Sequence, residues 1–200
     1  MKYLYYPGCS LEGTALEYNK STRAFMEAVG AELVELENWT CCGATAVDSV
    51  NHLLALALAA RNIAVAEKMA VSPDLLIPCS ACYLNLKKAD EKTRHDPELL
   101  KKVNEVLKEN DLQLKHTVRV RHLLDVVSNG FDFHSFKARV KRSFAGFKIA
   151  SYYGCQCLRP YRVFDDPEDP RSMEPLIQAT GAEVFQYPIL PRQAKGFTQQ

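Results

Sequence analysis

"PDLLIPCSAC", Pro73 to Cys82, joins a short apolar run to two cysteines three positions apart. The run "PDLLIP" has the length and composition of a buried strand, and its closing proline breaks it. Helical sequence resumes from about Tyr83 to Lys92. A strand therefore delivers Cys79 and Cys82 to the start of a helix. Two earlier stretches repeat the pattern. "KYLYYPGC" reads as a strand ending in a Pro-Gly break at Cys9. "TALEYNKSTRAFMEAVG" then reads as an amphipathic helix, with Leu16, Phe25, Met26 and Val29 as core positions and Gly30 as its cap. "AELVELE" is the next strand and leads to Cys41 and Cys42. The helix after it runs from Asp48 to Ala70, with Asp48 or Ser49 near its N-terminus.

Strand, cysteine, helix, repeated three times, predicts an α/β fold with a parallel sheet and right-handed crossovers. In such sheets the carboxyl ends of the strands share one edge, where sites form. Three cysteine groups distant in sequence are expected to converge there.

Beyond this unit, "PELLKKVNEVLKEN" predicts a helix with Leu100, Val103 and Leu107 on one face. "VRVRHLLDVVSNG" reads as a short strand or turn running into a helix, and "FDFHSFKARVKRSF" as a helix basic on one side. "FKIASYYGC" is a further strand that breaks before Cys155. "DDPEDPRS" is a loop, "SMEPLIQATG" a short helix and "AEVFQYP" a strand.

The second half echoes the first. "YYPGC" at Tyr5–Cys9 resembles "YYGC" at Tyr152–Cys155, and "AVGAELVELENWTCCG" resembles "ATGAEVFQYPILPRQA". With Gly30 set on Gly181, Cys41 and Cys42 fall on Arg192 and Gln193, so the paired cysteines are missing from the second copy. A duplicated fold is expected, with a first unit over 1–145 and the start of an incomplete second unit over 146–200.

The chain has 200 residues with 25 Lys and Arg against 24 Asp and Glu, a balance that does not point to nucleic-acid binding. The start "MKYLYYPGCS" lacks the apolar run of a signal peptide. The apolar segment "LLALALAA" is far too short for a membrane span. A soluble, cytoplasmic protein is expected. Seven cysteines in a reducing compartment suggest metal ligation or redox chemistry before disulfides. Adjacent Cys41 and Cys42 are poor partners for each other, because the ring they would close is strained. The five cysteines Cys9, Cys41, Cys42, Cys79 and Cys82 exceed the four ligands of a structural zinc, whereas an iron–sulfur cluster could use them all.

The series of one cysteine, 31 residues, a cysteine pair, 36 residues and C-x-x-C resembles the CCG cysteine-rich domain of the heterodisulfide reductase B-subunit family. "YYPGCSLEG", "WTCCGA", "ARNIAVAE", "PCSACY" and "YYGCQCLRP" each resemble stretches of that family, which the chain matches to about Pro188. The resemblance implies Rossmann-like units and a noncubane 4Fe-4S cluster held by Cys9, Cys41, Cys42, Cys79 and Cys82. It implies an oxidoreductase subunit that receives electrons from a ferredoxin-like C-subunit, and ultimately from a flavin-containing A-subunit, and cleaves a disulfide substrate. Cys155 matches the first ligand of a second motif whose other ligands have no counterpart here. One cluster is therefore expected, with Cys155 and Cys157 as ordinary thiols and little activity for this chain alone.

Two other readings stay open. "PCSAC" after an apolar strand suits a dithiol redox protein with Cys79 at a helix N-terminus, and a zinc-stapled binding module would leave one thiol idle. His52 lies one turn past Asp48 and could approach the site, but a solvated or capped histidine is the expected reading; His95, His116, His122 and His134 show no ligand spacing. Trp39 is placed to shield the paired cysteines. Lys137, Arg139, Lys141 and Arg142 read first as a solvated helix face, with docking of an acidic partner or an anionic cofactor as the alternative.

Overall fold

The computed structural model describes residues 1–44 and 47–186, the side chain of Ser135 excepted. Its centre is a four-stranded parallel sheet in the order β2-β1-β3-β4, from β1 (Lys2–Tyr5), β2 (Glu32–Glu35), β3 (Asp74–Ile77) and β4 (Arg119–His122). The expected parallel α/β sheet is present. The chain turns to one side of β1 to make β2 and then crosses to the other side to make β3. That reversal creates a switch point at the carboxyl ends of β1 and β3, where an open α/β sheet leaves a crevice.

Both faces of the sheet are covered, as period-two alternation in buried strands requires. Leu4, Tyr6, Leu75, Ile77 and Val120 face one core, shared with Ile63, Leu86 and Val103. These come from α4 (His52–Met69), α5 (Ser80–His95) and α6 (Pro97–Leu107). Tyr3, Tyr5 and Leu76 face the opposite core, with Met26 of α2 (Leu16–Ala28) and Val126 of α7 (Leu123–Gly130). Helix α4 is apolar on nearly every side because it lies between the sheet, α5 and α6. Among the described residues no helix is long and apolar enough to cross a membrane.

Several boundaries differ from expectation. A short helix α1 (Cys9–Glu12) begins at the first cysteine itself. Leu16 opens α2 and is 44% exposed, so it is not a core residue. The helix expected from Asp48 is broken: α3 (Val47–Val50) ends at Asn51, whose side chain accepts the Leu54 N–H at 3.0 Å and caps α4. Asparagine outcompetes Asp48 and Ser49 because it stands at the extended residue before the regular helix. Helix α5 starts at Ser80, three residues earlier than Tyr83, so the CxxC pair straddles its N-terminus. The basic stretch forms only α8 (Phe133–Ala138).

Residues 148–186 form a second, smaller parallel pair of strands. β5 (Lys148–Ile149) leads to α9 (Cys155–Leu158), α10 (Glu174–Ala179) and β6 (Glu183–Val184), which pairs parallel to β5. In both places a short helix begins at a cysteine. In both a glycine with positive φ precedes the returning strand, Gly30 at 80° and Gly181 at 90°. Lys2 pairs with Glu32, and Lys148 with Glu183 at the matching register. The aligned positions Arg192 and Gln193 lie outside the described residues.

Candidate functional site

Three strand ends deliver the five cysteines to one place. After β1, Pro7 and Gly8 turn the chain into α1, so Cys9 stands at a helix start. Gly8 has φ 74° and ψ 162°, a region open essentially to glycine. A Cβ there would sit 2.7 Å from Cys82 Sγ. The loop after β2 carries Cys41 and Cys42. Gly43, at φ 74°, turns that loop so that its N–H approaches Cys41 Sγ at 3.5 Å. The loop after β3 places Cys79 as the N-cap of α5 and Cys82 in its first turn.

The sulfurs meet in a chain of contacts across the three loops. Cys42 Sγ and Cys82 Sγ are 3.3 Å apart. Cys79 and Cys82 also touch through their thiols, as do Cys9 and Cys41. The Ser10 hydroxyl contacts both Cys9 and Cys79. Cys42 and Cys82 are almost wholly buried, Cys79 is half-buried, and Cys9 and Cys41 are exposed. The group is thus closed beneath and open to solvent on one side. Among the described residues no three Cys, His, Asp or Glu side chains are gathered as a single metal ion requires.

The electrostatics follow from this crowding. Cys79 is held down to about 6, chiefly because the Cys82 thiol donates to its sulfur, with the N–H groups of Ala81 and Cys82 adding to the effect against burial. Cys82 is pushed up, because its proton is shared with Cys42 and Cys79. Cys42 moves down by accepting from Cys82. Cys9 moves up through burial and the neighbouring Cys41. The Tyr6 phenol beneath the group is pushed far up by burial and by the thiols of Cys82, Cys42, Cys41 and Cys9.

Residues outside the cysteine motifs hold these loops. The Tyr6 hydroxyl donates to the Thr40 carbonyl at 2.8 Å. Asn62 is fully buried in α4; it accepts the Thr40 N–H at 2.9 Å and donates to the Thr40 and Leu58 carbonyls at 3.0 and 3.1 Å. Asn85 of α5 donates to the Cys42 carbonyl at 3.1 Å. His122, at the end of β4, meets Ser80 between the CxxC cysteines. Asn62 had one signal, an amide inside the mostly apolar "LLALALAARNIAVAE".

The remaining candidates divide. Trp39 packs edge-on to Tyr6 at 5.4 Å and donates to Glu35, so it walls the core beside the cysteine loop. His52 is tied to Asp48 at 2.5 Å and Lys92 at 3.1 Å in exposed surroundings. Arg139 of the basic stretch donates to the Ala28 carbonyl at 2.5 Å. Cys155 is exposed at the start of α9, while Cys157 is buried and donates to the Gly154 carbonyl at 3.0 Å. Helix α9 packs on α5, so the second pair of thiols lies close to the first site; Tyr18 feels both Cys79 and Cys157. An open groove of about 1110 Å³ between α4, α6 and the segment before β4 holds none of the cysteines.

A family profile described as a cysteine-rich domain, CCG, matches residues 3–87. The 8-methylmenaquinol:fumarate reductase membrane anchor subunit of Wolinella succinogenes is 34% identical over 93% of this chain and 64% of its own. A protein of Archaeoglobus profundus described as like the heterodisulfide reductase B-subunit is 30% identical over 94% of this chain and 64% of its own. The B-subunit of the ferredoxin/F420H2-dependent CoB-CoM heterodisulfide reductase of Methanosarcina acetivorans is 30% identical over 90% of this chain and 60% of its own. The chain thus spans less than two thirds of the length of these relatives. A solved structure described as a hypothetical protein from Helicobacter pylori shares the fold with a TM-score of 0.68 at 18% identity, over 93% of this chain and 33% of that one.

Proposed function

The chain carries a CCG cysteine-rich domain and is homologous to the heterodisulfide reductase B-subunit over 90% of its length, and from that premise we propose that it is the iron–sulfur subunit of a heterodisulfide reductase-like complex. Its site is the group Cys9, Cys41, Cys42, Cys79 and Cys82, and its cofactor a noncubane 4Fe-4S cluster. The observation that carries this reading is the approach of thiols from separate loops at one edge of the sheet, with Cys42 Sγ and Cys82 Sγ 3.3 Å apart. The donor set is soft and all sulfur, which suits iron–sulfur ligation. The cradle fits as well: Gly8 leaves room against Cys82 Sγ that any Cβ would take. Five thiols exceed the need of one zinc, and a CxxC dithiol alone would leave Cys9, Cys41 and Cys42 without a part.

When bound, the cluster would supply single electrons, two of which, with two protons, convert a disulfide into two thiols. The chain's own residues bind and orient it. Cys42 and Cys82, which are buried, would hold it from beneath, and Cys9 and Cys41, which are exposed, would hold it from the solvent side. Tyr6 and Asn62 fix the loop that bears the cysteine pair.

The unit 1–145 holds the site, and 146–200 begins a second copy of the fold; the matching geometry of β1 to β2 and β5 to β6 supports that division. The partners are a ferredoxin-like C-subunit and a flavin-containing A-subunit, the substrate is a disulfide, and the complex is cytoplasmic. Protein purified without oxygen should carry about four irons per chain with matching sulfide. Cys41→Ser or Cys42→Ser should lose most of both. One zinc without sulfide, or no metal at all, would overturn the reading in favour of a zinc module or a dithiol enzyme.

A further inference from the structure

Among the described histidines, His122 is the one that is both nearly fully buried and in contact with the cysteine loops. It ends β4 at the carboxyl edge of the sheet, 6% exposed. Its Nδ1 accepts the Leu124 N–H at 3.1 Å, capping α7. That bond leaves the ring proton on Nε2. Nε2 faces the Ser80 hydroxyl at 3.2 Å, and the Pro78 carbonyl is a second acceptor for the ring. Pro78 and Ser80 are the two residues on either side of Cys79. The Tyr18 hydroxyl reaches the same Pro78 carbonyl at 3.4 Å from the opposite element, α2.

The ring itself has little freedom. Tyr83, the residue after Cys82, meets it edge-on at 5.3 Å, and Phe164 stacks parallel to it at 6.3 Å. A buried ring with one nitrogen fixed by the backbone of α7 can present its other N–H in only one direction. That direction is the turn from which Cys79 and Cys82 project.

We propose that His122 is a positioning residue for the CxxC limb of the cysteine site, holding the Pro78–Ser80 turn through its Nε2–H. The inference deepens the iron–sulfur reading and rests on it for its first readout only. Groups that orient metal ligands from behind, rather than bind the metal, change metal affinity by about 10- to 100-fold when removed. The imidazole fits that role: it touches the backbone and hydroxyl of the ligand-bearing turn.

The test uses His122→Asn in the full chain. Asparagine retains a side-chain acceptor for the Leu124 N–H and is a strong cap, but it is too short to reach Ser80 or Pro78. Two measurements are made. The first is the rate of iron release to a chelator from anaerobically reconstituted protein, expected to rise about 10-fold or more. The second is the alkylation rate of Cys82 relative to Cys41 in metal-free, reduced protein, read peptide by peptide at one fixed pH and expected to rise several-fold as the CxxC turn loosens. Unchanged rates in both, with a native circular dichroism spectrum, overturn the proposal. Faster Cys82 alkylation in a protein whose wild type takes up no iron sustains the positioning role and refutes the cluster. If His122→Asn does not fold, Ser80→Ala takes its place, because it removes the hydroxyl contact and leaves the cap of α7 intact; a wild-type result in both measurements then counts against the proposal.

Discussion

Gly8→Ala tests the site through its backbone rather than its ligands. Gly8 sits at φ 74° and ψ 162°, where a residue with a Cβ costs on the order of 1–3 kcal/mol. The added Cβ would also stand 2.7 Å from Cys82 Sγ. Relief requires Cys82 to swing away from Cys42, now at 3.3 Å, or β1 to shift in the core. Overpacking of this kind costs about 1–3 kcal/mol more, so the total is roughly 2–6 kcal/mol. That is a large share of the about 5–15 kcal/mol by which a domain is usually stable. Gly146→Ala is the internal control: Gly146 has φ 87° with nothing near its missing Cβ, so it carries only the conformational cost of about 1–2 kcal/mol. The assay is equilibrium urea unfolding of reduced, metal-free protein, followed by iron content after reconstitution. Gly8→Ala should exceed Gly146→Ala by about 1–3 kcal/mol and should lower iron retention, while Gly146→Ala retains iron. Equal costs for the two variants, with iron unchanged in both, would refute the close approach of Gly8 to Cys82.

Two further outcomes follow from buried polar groups. Asn62→Ala leaves the Thr40 N–H unpaired beneath the paired cysteines, and urea unfolding should show a loss of about 1–3 kcal/mol; a change within a few tenths would mean that water replaces the amide there. His122 is pushed down to about 4, mainly by burial, with the Pro78 carbonyl and Asp125 opposing. The folded protein thus keeps the ring neutral while the unfolded chain protonates below its ordinary value of about 6.5. Stability should fall as pH drops from about 6.5 to about 4, by at most about 3 kcal/mol from this group, and the part of that slope that His122→Asn removes is the measure of it. An identical slope in the variant would assign the pH dependence to other residues.

The parallel sheet was legible because two of the three strand, cysteine and helix junctions carry their own punctuation: Pro-Gly before Cys9 and a proline before Cys79. The five cysteines announced themselves by number and spacing. Other features were legible only in part. β4 and α7 share the stretch "VRVRHLLDVVSNG" with no break between them, because His122 ends the strand and caps the helix at the same residue. Periodicity placed Leu16 in the core, but it is the first residue of α2 and its side chain is exposed. The helix expected from Asp48 looked continuous because Asp48, Ser49 and Asn51 are all competent caps, and only the backbone path selects Asn51. Tyr6, Asn85 and His122 act on loops more than 30 residues away, so no local pattern exposes them.

Those long-range contacts explain how loops can hold the five cysteines in place. A loop that presents several thiols with nothing behind it would lose conformational entropy on gathering them, and contacting thiolates repel one another. Here each limb is tied to an element that does not bear its cysteines. The paired-cysteine loop hangs from Asn62 in α4 and from Asn85 in α5. The CxxC turn hangs from Tyr18 in α2 and from His122 at the end of β4. Cys9 and Cys79 share the hydroxyl of Ser10. The ties come from both faces of the sheet, so the arrangement of the cysteine loops depends on both cores. The site is thereby coupled to the fold as a whole. Weakening any one tie should loosen one pair of sulfurs first and the remaining thiols less, in the order of their contacts with that limb.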